Sequence, residues 1–290
     1  MPSINFEIIQ RNWPLTNVVI STIKNQGKGG HVLKISSEEG EWICKITGSW
    51  KKPEDLNQNL KVLDFIQKND AGLSPKLLKT KDGKKFAVVE SDLVYITSYL
   101  GSQTPQLSTK NYFLLGQTLA KIHSLKNYKI KTQFTAKNII HDLKQKAENY
   151  DFKNQLLDII NRFPSFDNCP QVLIHTDPAL TNSILISDNN LTLIDWDESG
   201  LGESVLDIGA QLIQQFVTED LVFLNIEAEA LFAGYKSLRS LSLVEKDLIF
   251  WSAVLRACFY LPFGDVSKRW RRVLWAIENQ NLLEGVYKNI

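Results

Sequence analysis

The first third of the chain places apolar residues at alternate positions over short runs, a spacing typical of β-strands that bury one face. These runs cover residues 18–24, 31–36, 41–47, 84–90 and 93–99. One interruption, residues 54–68, instead carries leucines near the helical spacing. The pattern predicts a small sheet-rich lobe over residues 1–98 that contains one helix.

The remaining residues, 99–290, favour helices. Apolar positions recur at three- and four-residue spacing over residues 109–126, 134–150, 152–163, 205–217, 221–238, 243–261 and 266–287. The exceptions are a short apolar strand at 172–174 and a predicted hairpin, 183–186 with 191–194, that turns across Asp188-Asn189-Asn190. The expected class is therefore α+β, with a small antiparallel sheet followed by a larger, mainly helical lobe.

Composition bears on the partners of the protein, its cellular compartment and its relation to membranes. The chain has 290 residues, of which 43% are hydrophobic and 22% charged, and a net charge of +1 gives no argument for a nucleic-acid partner. Its three cysteines lack metal-ligand spacing, which predicts reduced thiols in a cytoplasmic protein. The most apolar helical run, residues 248–263, is interrupted by Arg256 and too short for a membrane span.

Polar side chains stand at both ends of the predicted hairpin. Asp177 and Asn182 lie in the loop that leads into it, and Asp195 follows its second strand. Magnesium prefers a few carboxylate or amide oxygens and lets phosphates complete its shell, while phosphoryl transfer needs one carboxylate to orient the attacking hydroxyl. The spacing, which matches the protein-kinase catalytic loop, predicts Asp177 as proton acceptor and Asn182 and Asp195 as magnesium ligands.

Two features of the first lobe suit a nucleotide. A glycine-rich turn containing Gly27, Gly29 and Gly30 separates the first two strands, and backbone without Cβ can approach phosphate oxygens closely. Lys45 lies among apolar residues in the third strand, where its ammonium needs a partner. The sequence allows two interpretations of Lys45, namely a contact to phosphates or a strand lysine that faces solvent, and we favour the first.

The motif series resembles the aminoglycoside phosphotransferase and choline-kinase-like family. Its members are small-molecule relatives of protein kinases, and the matching segments are His175-Thr176-Asp177 to Asn182, Ile194-Asp195-Trp196-Asp197, and Leu206-Asp207-Ile208-Gly209. The resemblance implies a two-lobed protein-kinase-like fold, with Asp177 as catalytic base and Asn182 and Asp195 on magnesium. It also implies that Asp197 assists the metal and that His175 and Asp207 brace the loop.

The resemblance further implies an inter-lobe hinge. Backbone groups of Ser98, Tyr99 and Leu100 would meet the adenine edge there, although their side chains do not distinguish ATP from GTP. The chain also departs from the family pattern. Thr176 replaces a glycine, and Asn59 occupies the position expected for the glutamate partner of Lys45, which leaves that partner open.

The phosphate acceptor is not specified by the sequence. Candidates for lining its site are acids and aromatics of the helical lobe: Glu198, Glu203, Glu219, Asp220, Trp251, Tyr260, Phe263 and Trp270. For any one of them, a solvated or core position is the more common role.

The favoured function is an ATP- and magnesium-dependent kinase for a hydroxyl of a small molecule such as an aminoglycoside or amino-alcohol. The alternative is an inactive kinase-like protein that binds nucleotide or serves as a scaffold. A protein kinase is disfavoured because no Ala-Pro-Glu-like segment follows Asp195.

Overall fold

The computed structural model describes residues 4–23, 30–47, 51–126, 128 and 134–288. The chain forms two compact units. Unit 1 comprises Met1–Ser102 with Ile194–Asp197, and unit 2 comprises Gln103–Leu193 with Glu198–Ile290. The segment that contains Asp195 thus groups with the first unit, although residues 99–290 were assigned to one lobe from the sequence.

Unit 1 is built on an antiparallel sheet. Its elements are α1 (Phe6–Asn12), β1 (Val19–Thr22), β2 (Gly30–Ser37), β3 (Gly40–Thr47), α2 (Pro53–Asn69), β4 (Leu77–Leu78), β5 (Ala87–Val89) and β6 (Asp92–Ser98). The strand order is β1-β2-β3-β6-β4, and β5 also pairs with β6. The predicted strand at residues 84–90 is therefore confined to three residues.

One element of unit 1, helix α1, lies in a segment for which the sequence pattern predicted no element. Asn5 caps the helix by accepting a hydrogen bond from the Ile8 N–H. Ile9 and the following Trp13 are fully buried in the cluster that holds Ile35 and Cys44 of the sheet. A seven-residue helix is too short to be stable alone, so this packing is what holds it.

Unit 2 is mainly helical. Its helices are α3 (Thr109–Ser124), α4 (Ala136–Lys146), α5 (Lys153–Asn161), α6 (Val205–Gln214), α7 (Asn225–Lys236), α8 (Leu243–Phe259), α9 (Val266–Glu278) and α10 (Gln280–Lys288). Its strands are β7 (Gln171–Ile174), β8 (Ser183–Ser187), β9 (Asn190–Leu193) and β10 (Gly200–Glu203). The β8–β9 pair is the predicted hairpin, whereas β10, which pairs with β7, was missed.

Close packing and capping explain how several helices of unit 2 approach one another and where they begin. Gly116 on α3 and Gly234 on α7 bring the two helices together, because a Cβ at either position would lie 2.0 Å from a carbonyl oxygen of the other helix. Ser242 and Glu245 form a capping box at the start of α8. The helix predicted over residues 266–287 is instead two helices, which separate at Asn279 with φ −111° and ψ 29°.

Cys44, Cys169 and Cys258 are free thiols and buried. Burial raises the pKa of the Cys44 and Cys258 thiols to about 12, so they serve as packing groups. Across the described residues, no helix has both the length and the apolar character needed to cross a membrane.

Candidate active site

The candidate catalytic loop, residues 175–182 and called the catalytic loop below, follows strand β7 and ends in a 3₁₀ turn at Leu180–Asn182. Its backbone is held from below by Asp207 on α6, whose carboxylate accepts hydrogen bonds of 2.7 Å from both the His175 and Thr176 N–H groups. Thr176 has φ +77°, in the left-handed region that glycine adopts most readily. A threonine there is strained, so the surrounding contacts must fix the loop.

Asp177 presents an exposed carboxylate with both oxygens hydrogen-bonded. The Asn182 side-chain amide donates to Oδ2 at 2.8 Å and to the Asp177 carbonyl at 2.9 Å. The Tyr260 hydroxyl donates to Oδ1 at 3.2 Å. Since its amide nitrogen faces Asp177, the oxygen that Asn182 can offer to a metal is Oδ1.

Asp207 belongs to a buried polar network. His123 Nε2 lies 3.2 Å from Asp207 Oδ2, and His123 Nδ1 lies 2.8 Å from the Tyr235 hydroxyl. Arg239 donates to both Tyr235 and Glu245, at 2.6 and 2.7 Å. Burial opposes the charge of Asp207, but hydrogen bonds from His123 and the His175 backbone outweigh it and lower the pKa of Asp207. This network holds the loop through Asp207, and His175 takes part in it through its backbone N–H.

A second cluster of candidate site residues lies within unit 1. Lys45 on β3 places its ammonium 2.6 Å from Asp195 Oδ1 and 3.3 Å from Asp197 Oδ2. The Tyr95 hydroxyl donates to the other Asp197 oxygen, and Lys51 donates to the Asp197 carbonyl at 2.8 Å. Asp195 has φ +66°, a conformation that this cluster stabilises. Lys45 therefore pairs with Asp195 and Asp197, the partners that the sequence left open.

The charged groups of this cluster shift the pKa values of one another. Burial opposes the protonated form of Lys45, but the neighbouring Tyr95, Asp197 and Asp195 outweigh it, and the pKa of Lys45 lies well above its ordinary value. Burial and the Asp197 carboxylate raise the pKa of Tyr95. The lysine therefore stays protonated, and the Asp197 carboxylate stabilises its positive charge.

The structure describes only some of the other residues that the sequence predicted to contact the nucleotide. Gly27 and Gly29 lie outside the described residues, and Gly30 begins β2 opposite Thr47. The Ser98 N–H donates to the Lys76 carbonyl at 2.8 Å and the Tyr99 N–H to the Glu41 carbonyl at 3.0 Å. An adenine edge would therefore use other backbone groups of the segment from Ser98 to Leu100.

Several acceptor-site candidates contact other residues of unit 2. Glu203 is buried and accepts a hydrogen bond from the Ala136 N–H at the start of α4, at 3.1 Å. Glu219 forms an ion pair of 2.7 Å with Lys268, and Trp270 stacks on Phe152 with centroids 4.2 Å apart. Tyr260 contacts Asp177 directly. Arg256 was not predicted as a site residue, because its only signal in the sequence is a charge within an apolar helical run.

The Asp195 carboxylate of unit 1 and the Asn182 amide of unit 2 each carry a hard oxygen of the kind that magnesium prefers. No group of three or more His, Cys, Asp or Glu side chains that could hold a metal occurs in the described part of the chain. A magnesium ion bound by either residue would take most of its ligands from phosphates and water, as is usual for this ion.

Comparison with known proteins identifies the family. Residues 26–241 match the model of the phosphotransferase enzyme family, which is well over half of the chain. No curated protein sequence is detectably similar to the chain.

Solved structures share the fold at low sequence identity. A microcompartment-associated aminopropanol kinase has a TM-score of 0.67 and 15% identity, and the match covers 96% of this chain and 97% of that one. A spectinomycin phosphotransferase in complex with ADP and spectinomycin has a TM-score of 0.59 and 14% identity, covering 97% and 95%. A choline/ethanolamine kinase family protein from Mesorhizobium loti has a TM-score of 0.63 and 15% identity, covering 92% and 91%.

These similarities confirm the predicted protein-kinase-like fold, with a small antiparallel sheet and a larger helical part. They also agree with the motifs around Asp177, Asp195 and Asp207, all of which fall within the matched residues. The chain therefore belongs to the phosphotransferase enzyme family.

Proposed function

We propose that the protein transfers the γ-phosphoryl group of magnesium-bound ATP to a hydroxyl group of a small molecule. The observation that carries this proposal is the state of Asp177, an exposed carboxylate fixed by hydrogen bonds at both oxygens on a loop that Asp207 holds rigid. A carboxylate held in this way can accept the proton of a hydroxyl while that hydroxyl attacks phosphorus.

The other groups have complementary roles in the proposal. Asn182 and Asp195 hold the magnesium ion, which neutralises phosphate charge when bound. The permanently charged Lys45 binds the α- and β-phosphates, and the glycine-rich turn and the segment from Ser98 to Leu100 contact the nucleotide. The neighbour solved with ADP supports nucleotide use, and the aminopropanol kinase supports a small hydroxyl acceptor.

The test is release of ADP from magnesium-ATP across a panel of amino-alcohols, aminoglycosides and other hydroxyl metabolites. Asp177→Asn removes the proton acceptor with little change in shape, so we expect turnover to fall by about 10²- to 10⁴-fold. Asp188→Asn, at the exposed turn of the β8–β9 hairpin, is the matched control and should retain full turnover. Turnover by Asp177→Asn at the wild-type rate would refute Asp177 as the base.

Calorimetric titration separates the enzyme from the nucleotide-binding scaffold. An enzyme should bind ATP in a magnesium-dependent manner, and Asp195→Ala should abolish that dependence. Binding that is indifferent to magnesium in both proteins, together with no turnover on the panel, would favour the scaffold.

A further inference from the structure

Arg256 on α8 is a buried cation directly behind the catalytic loop. Its side chain is 1% exposed, and no carboxylate of the described residues forms an ion pair with it. Its guanidinium lies against three aromatic rings, 4.6 Å from the Phe134 centroid, 4.8 Å from that of Tyr260 and 5.0 Å from that of Phe259. A buried charge is costly, so a guanidinium held mainly by ring faces requires a specific use.

The hydrogen bonds of Arg256 converge on one nitrogen, Nη2. This nitrogen donates to the carbonyl of Thr176 and, at 2.7 Å, to the hydroxyl of Tyr260. Nε and Nη1 have no hydrogen-bond partner among the described residues. The guanidinium therefore directs its hydrogen bonds at the catalytic loop and at Tyr260, although this position leaves two of its nitrogens without a hydrogen bond among the described residues.

The Thr176 carbonyl belongs to the peptide unit that joins Thr176 to Asp177. Asp207 holds the N–H on one side of Thr176, and Arg256 holds the carbonyl on the other. Together they fix a residue whose φ of +77° a threonine would otherwise avoid. Arg256 thereby sets the backbone from which the Asp177 side chain extends.

Tyr260 connects Arg256 to the carboxylate itself. A phenol has one proton and can also accept hydrogen bonds; because Arg256 donates to the oxygen, the phenol proton is available for Asp177 Oδ1 at 3.2 Å. Burial raises the pKa of Tyr260, and so the phenol stays protonated and remains a donor. Asn182 occupies the other oxygen, so the orientation of the carboxylate is fixed at two points.

We propose that Arg256 and Tyr260 form a positioning pair that orients the Asp177 carboxylate toward the hydroxyl of the acceptor. The pair acts through Asp177 and therefore rests on the proposed function. Tyr260, a candidate for lining the acceptor site, instead has its hydroxyl committed to the base, and Arg256 aligns both Tyr260 and the preceding peptide.

The first experiment measures ADP release from magnesium-ATP with water as acceptor, and with the best acceptor of the panel, for Tyr260→Phe. Losing a hydrogen bond to a charged group should lower kcat by roughly ten-fold. The KM for magnesium-ATP and the melting temperature should stay near the wild-type values, because neither depends on the orientation of Asp177. Tyr112→Phe, at another buried tyrosine of unit 2, is the control and should leave kcat unchanged.

The second experiment tests whether the two residues act together. Arg256→Lys keeps the charge but loses the planar fork, so kcat should again fall by roughly ten-fold. The double variant Tyr260→Phe with Arg256→Lys should lose much less than the product of the single effects, since both changes disturb one carboxylate. If the two residues had independent structural roles, their fold-losses in kcat would multiply. The KM for magnesium-ATP would then rise or the melting temperature would fall.

The outcomes are distinguishable. Wild-type kcat in Tyr260→Phe, or multiplicative losses in the double variant, would overturn the positioning pair and leave the proposed function intact. A wild-type protein that releases no ADP with any acceptor would overturn the proposed function and this pair with it.

Discussion

The ammonium nitrogen of Lys45 lies 2.6 Å from Oδ1 of Asp195, although 150 positions separate the two residues in the chain. Asp197 adds a second carboxylate contact at 3.3 Å. The strand lysine is therefore held by the two acids of the Ile194-Asp195-Trp196-Asp197 segment. One cluster of unit 1 thus brings together the cation and the carboxylate to which we assign the phosphate and magnesium contacts in the proposed function.

Replacement of Lys45 should weaken nucleotide binding specifically. Lys45→Met removes a cation that stays protonated because its pKa lies well above the ordinary 10.5. We expect the Kd for magnesium-ATP to rise by roughly ten- to a hundred-fold, the value of a hydrogen bond to a charged group. Calorimetry measures this. Lys84→Met, at an exposed ion pair with Asp82 in the same unit, is the control and should not change the Kd.

Asp207 should matter for turnover more than for nucleotide affinity. Asp207→Asn replaces a charged acceptor of two loop N–H groups with a weaker one and disturbs the bond to His123. The loop that carries Asp177 should loosen, and kcat should fall by roughly ten-fold or more while the Kd for magnesium-ATP is kept. Steady-state kinetics with calorimetry checks both. Equal loss in Asp142→Asn, an exposed acid of α4, would contradict this explanation.

The contact between α3 and α7 should be intolerant of any side chain at its glycines. A Cβ at Gly116 would lie 2.0 Å from the Leu231 carbonyl oxygen, and backbone atoms of a helix cannot move aside cheaply. Gly116→Ala should lower the free energy of unfolding by at least about 2 kcal/mol, as overpacking of a core does. Urea denaturation measures this change.

Gly285 on α10 supplies the matched control, because a Cβ there meets nothing within 4 Å. Alanine is a better helix former than glycine, so Gly285→Ala should raise the free energy of unfolding by about 0.5–1 kcal/mol. Similar behaviour of the two alanine variants would show that the interhelical approach is looser than described.

Acid should destabilise the protein partly through Glu245. Burial opposes its charge, but hydrogen bonds from Ser204, the Ser242 N–H and Arg239 outweigh it and lower the pKa of Glu245 below the ordinary 4.5. A carboxyl with a depressed pKa in the folded state contributes stability above its unfolded pKa and loses it as the pH falls through the folded pKa.

Glu245→Gln should therefore show a flatter decline of the free energy of unfolding below pH 4.5 than the wild type shows. Urea titrations at several pH values between neutrality and acid provide the comparison. Glu278→Gln, at an exposed carboxyl, should follow the wild-type curve. A parallel acid decline in Glu245→Gln would exclude a contribution of this carboxyl.

The sequence by itself determined most of the longer elements and the order of the chemical groups. Alternation predicted β1, β2, β3 and β6, helical spacing predicted α2 and α3, and the spacing from Asp177 to Asp195 identified the motif. These features depend on neighbours within a few residues, which is the range over which backbone geometry and burial pattern are coupled. The family and its fold followed from that order.

Only the tertiary structure decided which distant groups meet. It gave Lys45 its partners Asp195 and Asp197, buried Glu203 at the start of α4, and brought Tyr260 to Asp177 across 83 positions. It also held the short helix α1 through the burial of Ile9. Such contacts depend on how whole elements pack, and packing depends on the shapes and charges of side chains far apart in sequence, which a local pattern does not contain.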